Sequence, residues 1–273
     1  MKIIDFHTHI FPDSLAERAI ATLRAHAPES RAFTNGTLDG LRKSMQQSGI
    51  AASVLLPIAT KPSQVATINK SCKALFAEDM VPFGTLHPDL EDFPAEITYL
   101  VSINVRGIKL HPEYQDFYIS DKRHYPMYDA LSDAGLVVVF HAGKDPGPFS
   151  CDHALPGAFA KLVREFPRLK IVASHMGGWK LWNDVEDQLL GLSLFFDCSA
   201  VKEFMTREEF VHMSRRHGTE RILFGTDSPW FEQASYVSWI QSLDLTDNEK
   251  EQIFYKNAEA LLGNGLQVKN SML

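Results

Sequence analysis

The sequence predicts an α/β chain folded as a (β/α)8 barrel with a helical insertion after strand 1. Two observations carry this expectation. Eight short β-type runs recur along the 273 residues: "KIIDF" (2–6), "SVLLPI" (53–58), "VPFGTL" (81–86), "VRGIKL" (105–110), "LVVVFH" (136–141), "LKIVASH" (169–175), "SLFFDCS" (193–199) and "RILFGTD" (221–227). Several are continuous apolar stretches, as expected of parallel strands covered on both faces, and each parallel return needs a crossover helix. The segments between them supply such helices, for example "SQVATINKSCKALFAED" (63–79) and "GAFAKLVREF" (157–166), with apolar residues at helical spacing.

Eight strands alternating with helices suit a closed barrel, typically about 250 residues long, better than an open doubly wound sheet. No glycine-rich dinucleotide fingerprint follows the first run, which weakens the open-sheet alternative. Between the first two runs lie helical stretches "SLAERAIATLRAHA" (14–27) and "TLDGLRKSMQQSG" (37–49), long for a simple crossover and expected to cap the barrel mouth or an edge. "TDNEKEQIFYKNAEALLG" (246–263) reads as a closing helix, with Thr246 as N-cap, Glu249 as its capping-box partner and Gly263 as the stop. Residues 1–263 are thus expected to form a single barrel domain and 264–273 a frayed tail.

Composition narrows the function. The hydrophobic fraction of 45% supports a sizeable core, and 27 basic against 34 acidic residues give a formal charge of −7. This predicts neither a nucleic-acid partner nor attraction to an anionic membrane. The amino-terminal run is too short for a signal-peptide core and no apolar stretch reaches membrane-spanning length, so a cytoplasmic location is expected. Cys72, Cys151 and Cys198 are odd in number and far apart, which fits reduced core thiols.

In a closed parallel barrel the site forms where the strands end. His7 and His9 end the first run, His87 the third, Lys109 and His111 the fourth, His141 the fifth, His175 the sixth and Asp227 the eighth. His7 and His9, two apart on an extended segment, point to the same side, and Asp5 shares their parity. Each residue alone has a structural reading, such as Asp227 capping the next helix. Together, histidines and one aspartate at four strand ends predict a metal site. His26, His124, His153, His212 and His217 fall in predicted helices or loops and are expected not to be ligands.

The motifs "DFHTHIF", "GIKLHP", "FHAG", "SHMGG" and "GTDSPW", in this order and at strand-like spacing, resemble the metal-dependent hydrolases of the amidohydrolase superfamily. Within it they resemble the branch containing aminocarboxymuconate-semialdehyde decarboxylase. The resemblance spans essentially the whole chain. It implies one divalent ion, zinc in the first instance, held by His7, His9, His141 and Asp227. His175 would polarise substrate or move a proton, or bind a second metal in a dinuclear site, where Lys109 would be a carbamylated bridge. The preferred reading keeps Lys109 as a cation paired with a carboxylate.

Such a site activates water at neutral pH, with Asp227 and His175 as catalytic residues. Hydrolysis of an ester, lactone or amide of a small carboxylate-bearing substrate is the first expectation. Non-oxidative decarboxylation of an aromatic or dienoic carboxylate on the same metal is the alternative, and a non-catalytic metal- or metabolite-binding barrel the second. Lys109, His111, Lys144, Trp179 and Trp230 are candidate substrate contacts. A homodimer is suggested by analogy alone.

Overall fold

The computed structural model describes residues 1–263; the expected tail at 264–273 lies outside the described residues. All eight predicted runs carry strand. They are β1 (Ile4–Thr8), β2 (Ala52–Leu55), β3 (Met80–Pro82) and β4 (Gly84–Thr85), which form one stave broken at Phe83, then β5 (Gly107–Leu110), β6 (Val137–Phe140), β7 (Lys170–Ala173), β8 (Phe195–Asp197) and β9 (Ile222–Leu223). Pairing is parallel throughout and follows chain order. The seam between first and last staves is closed by backbone bonds from Phe6 N–H to Phe224 O (2.8 Å), Asp227 N–H to His7 O (2.8 Å) and His9 N–H to Ser228 O (2.7 Å). The sheet is therefore a barrel of eight staves, as the sequence predicts.

Two helices occupy the segment after β1, α1 (Asp13–His26) and α2 (Leu38–Ser48). Thr37 caps α2 by accepting from Gly40 N–H, and Gly49 ends it in the left-handed region at φ 68°. α2 packs against α10 (Gln233–Gln241) across the seam and so belongs to the outer ring. Of the residues of α1, Ala16 is buried, and Ile20 lies beside Phe11 and Gly36, which are joined by a backbone hydrogen bond.

The closing helix starts as read. Thr246 and Glu249 form a reciprocal capping box, α11 (Asp247–Glu251) passes through a π-helical stretch (Gln252–Lys256) into α12 (Asn257–Leu262), and Gly263 follows at φ 67°. Ala258, Leu261 and Leu262 of α12 pack with Ile4, Phe6, Val54, Phe83, Val139, Val172 and Leu223 in an inner apolar cluster. Each such buried side chain contributes about 1.5–3 kcal/mol. A larger cluster lies between strands and helices. With apolar residues filling this inner cluster, the polar residues that end the strands gather at the opposite mouth.

Asp5 does not join His7 and His9 as its parity predicted. Its carboxylate accepts from Thr226 N–H (3.0 Å), Thr226 Oγ1 (2.6 Å) and Gln233 Nε2 (2.7 Å), binding β1 to the first residue of α10. The pairing of β1 with β2 slips between Asp5 and Thr8, and this irregularity separates Asp5 from the two histidines. Burial raises the Asp5 carboxyl to about 7.

Candidate metal centre

His9, His7, His175, His141 and His111 form a continuous arc at the barrel mouth. Successive ring centroids are 5.1, 5.2, 5.0 and 4.3 Å apart. His7 and His9 come from the end of β1, His111 from β5, His141 from β6 and His175 from β7. Two of the turns are strained: His175 and Asp227 hold φ values of 59° and 64°, and Met176 follows His175 at 54°. Non-glycine residues rarely adopt this region, and where they do the surrounding structure imposes it.

The outer partner of each imidazole fixes its tautomer. His7 Nδ1 donates to Asp197 Oδ2 (2.9 Å), His9 Nδ1 to Leu56 O (2.7 Å), His175 Nδ1 to Ser199 O (3.0 Å) and His141 Nε2 to Lys144 O (3.0 Å). Carbonyl and carboxylate oxygens cannot donate, so each of these nitrogens carries the ring proton. The opposite nitrogens are bare lone pairs, and they face one another. His7 Nε2 lies 3.1 Å from His9 Nε2, and both approach Asp227 Oδ1 at 3.5 and 3.2 Å. His175 Nε2 lies 3.1 Å from His141 Nδ1. Acceptors converging without a donor are stable around a cation, and the outer hydrogen bonds are those that orient metal ligands. The donor set fits a divalent ion.

The electrostatics agree. Burial lowers the His7 imidazole to about 4, and burial lowers His141, His175 and His111 as well. All four are therefore neutral and ready to ligate. Burial alone would raise Asp227, but the close approach of His9, and then of His7 and His175, holds it well below the usual carboxylate range. Asp197 behaves likewise: burial opposes ionisation, and His7 together with the Ser199 hydroxyl outweighs it.

His7, His9 and Asp227 stand within ligating distance of one another. His141 stands further round the arc, reached through His175, and groups instead with His111 and Asp145. Lys109 is buried, its Nζ donating to Ser174 Oγ at 3.4 Å, and burial lowers its ammonium to about 8 against the pull of Asp197, Asp227 and Asp145. His111 stacks on His141 with interplanar angle 11°, its Nε2 3.5 Å from Asp145 Oδ2. Lys144 has an exposed side chain and serves His141 through its carbonyl. The Trp179 indole donates to Ala200 O (3.0 Å) and packs on Phe204, while Trp230 is half-buried beside Asp227, its backbone N–H donating to Asp227 O. Gly143 permits this packing: at φ 86° a Cβ would lie 2.2 Å from Trp179 N.

Two participants escaped the sequence reading. Asp197 ends the seventh run, where "FFDCS" places a carboxylate at the level of the other site residues, a signal that was available. Asp145 sits in "AGKDPGP", where an aspartate reads as a turn former; it accepts from Gly147 N–H (2.7 Å) while its carboxyl is turned inward and raised by burial to about 7. Among the described residues, none of His26, His87, His124, His153, His212 and His217 belongs to a potential metal-binding group. Cys72 and Cys198 are buried as expected, but Cys151 is exposed, because the loop that carries it runs over the surface.

Comparisons with known proteins place the chain by family and fold. The amidohydrolase family matches residues 4–263. Decarboxylase orsB of Emericella nidulans is 24% identical over 239 residues, covering 78% of this chain and 69% of that protein. Among solved structures, an uncharacterised TIM-barrel protein of Bordetella bronchiseptica superposes with TM-score 0.74 at 21% identity, covering 96% of this chain and 98% of the other. A dihydroxybenzoic acid decarboxylase of Polaromonas sp. JS666, with bound manganese and the inhibitor 2-nitroresorcinol, superposes with TM-score 0.73 at 16% identity, covering 96% of each chain. With a family match across almost the entire described chain and a divalent-metal site at the mouth of its barrel, the protein belongs to the amidohydrolase family.

Proposed function

We propose that the chain is a metal-dependent, non-oxidative decarboxylase of a small aromatic carboxylate. The observation that carries this reading is the join between the acceptor-only cluster at the barrel mouth and the decarboxylases to which the chain is similar in sequence and fold. Hydrolysis, the first expectation from the motifs, has family-level likeness behind it and ranks second. His7, His9, His141 and Asp227 would hold the ion, which when bound supplies a Lewis acid for an anionic substrate oxygen. Zinc suits the imidazoles; the manganese of the Polaromonas relative is the competing choice.

Lys109, a buried cation with one hydrogen-bond partner, would receive the substrate's carboxylate or a ring hydroxyl. His111 and Trp230 would border the ring. His175, its Nδ1–H fixed on Ser199, presents a bare Nε2 to the mouth; it would first take up a solvent proton there and then pass it to the ring carbon that bears the carboxylate, with Asp227 orienting the exchange. The carbon–carbon bond then breaks, its electron pair returns to the ring and carbon dioxide leaves. One proton is consumed and no electrons are exchanged with an outside partner.

The test is a substrate panel of hydroxybenzoates, lactones and amides offered to protein loaded separately with zinc or manganese. Carbon dioxide released in step with loss of an aromatic carboxylate is expected. Acid release from lactones or amides without carbon dioxide would replace this reading by hydrolysis, and no turnover on any of them with full metal content would favour a binding protein.

A further inference from the structure

The exposed thiol of Cys151 stands in a cluster separate from the metal centre. Its Sγ lies 3.7 Å from His153 Nε2. The imidazole is held from behind by Glu113, on the short helix α5 (Pro112–Gln115), whose Oε2 accepts from His153 Nδ1 (2.5 Å) and whose Oε1 accepts from His153 N–H (2.7 Å). His153 and Glu113 are both buried. With Nδ1–H committed to Glu113, Nε2 is the basic end of the ring and faces the sulfur. Asp116 Oδ1 lies 3.2 Å from the same Nε2, placed to accept an N–H that forms there. The Tyr118 hydroxyl donates to Sγ at 3.5 Å, and its ring lies against the imidazole, with centroids 4.7 Å apart.

A thiol kept for packing needs none of this. Cys72 and Cys198 each donate to a backbone carbonyl, at 3.2 Å and 3.6 Å, and burial pushes both thiols up, Cys72 to about 12. Around Cys151 each neighbour has a part in thiol activation: a base, a buried carboxylate that orients it, a second carboxylate for the imidazolium, and a hydroxyl for the thiolate.

We propose that Cys151 is a nucleophilic modification site for conjugated carbonyl compounds, with His153 as its base and Glu113 as the residue that positions the base. The thiol proton passes to His153 Nε2 and stays there, the new N–H donating to Asp116 Oδ1. Sulfur forms a bond to the β-carbon of the electrophile, the π electrons of the carbon–carbon double bond move to the α-carbon, and the proton on Nε2 is returned there. Nothing is oxidised and no group leaves. Because these residues are distinct from the metal-binding groups, the reaction stands independently of the decarboxylase reading.

Acrylamide added to the full-length, metal-loaded protein at pH 7, with adducts followed by peptide mass spectrometry, tests it. Cys151 is expected to react about tenfold faster than free cysteine. His153→Gln should bring the rate to that of free cysteine or below. Since replacing a buried group can unseat the loop, the exposed variant Asp116→Asn is measured beside it and should slow the reaction about threefold. A wild-type rate no greater than that of free cysteine overturns the proposal, as does an Asp116→Asn rate equal to wild type.

Discussion

The two sides of the imidazole arc are built differently. On one side His7 and His9 leave β1, Asp227 follows β9, and their outer partners are strand-end groups: Asp197 behind His7 and the Leu56 carbonyl behind His9. On the other side His111 and His141 leave strands, but their outer partners belong to the 143–154 loop, through the Lys144 carbonyl and the Asp145 carboxyl. The first side is fixed by the barrel and the second depends on a loop. Metal retention should therefore rest on the first, and substrate discrimination on the second.

That division can be broken by experiment. The largest effect is expected from His7→Ala or Asp227→Ala, each of which should lose bound metal and reduce turnover about a thousandfold or more. Metal analysis that finds either variant fully loaded would dismantle the rigid side of the comparison. Next comes acid. His7 and the buried His217, which stacks on Phe196 at 4.0 Å, are both held near 4 by burial. Their folded values lie below the unfolded value of about 6.5, so stability is full above pH 6.5 and is lost as pH falls toward 4. For each group the loss is about 3 kcal/mol in metal-free protein. Denaturant melts in chelator at pH 7 and 4.5 measure this, and His217→Gln should reduce the difference; equal midpoints at the two pH values would refute it.

Asp197→Asn removes a charged partner of His7 without removing a ligand. A metal dissociation constant about 10–100-fold weaker is expected, with the fold retained by circular dichroism. The smallest change belongs to the loop. Asp145→Asn should leave metal content unchanged and shift KM about threefold to tenfold through His111, without a comparable fall in kcat. If it instead costs as much metal as Asp197→Asn, the loop side is a second metal site and the contrast dissolves.

The same contrast explains what could be read in advance. His7, His9, His141, His175 and Asp227 end apolar runs, where strand direction makes a side chain's destination predictable from its place in the chain. Asp197 obeys that rule too and was overlooked because one carboxylate amid "SLFFDCS" has no partner nearby in sequence. Asp5 obeyed the alternation and still went elsewhere, since a one-residue slip in pairing with β2 is set by the neighbouring strand. Asp145, Glu113 and the Cys151 loop were illegible for another reason: loop geometry is decided by contacts far along the chain, such as Gly143 packed against Trp179. That His141 falls beside His175 and apart from His7 and His9 follows from strand order, since β6 pairs with β7 and β1 lies across the barrel mouth.

The strand order of the ligands also bears on when the site can exist. His7 and His9 lie on the first stave and Asp227 just after the last, and the backbone bonds that bring them together are those that close the barrel. A chain whose final stave is not yet in place would offer the ion His7, His9 and His141 but no aspartate. Metal uptake would thus become a read-out of barrel closure. An ion held by these residues would rivet the first stave to the last, so a loaded barrel could open at this seam only by releasing it.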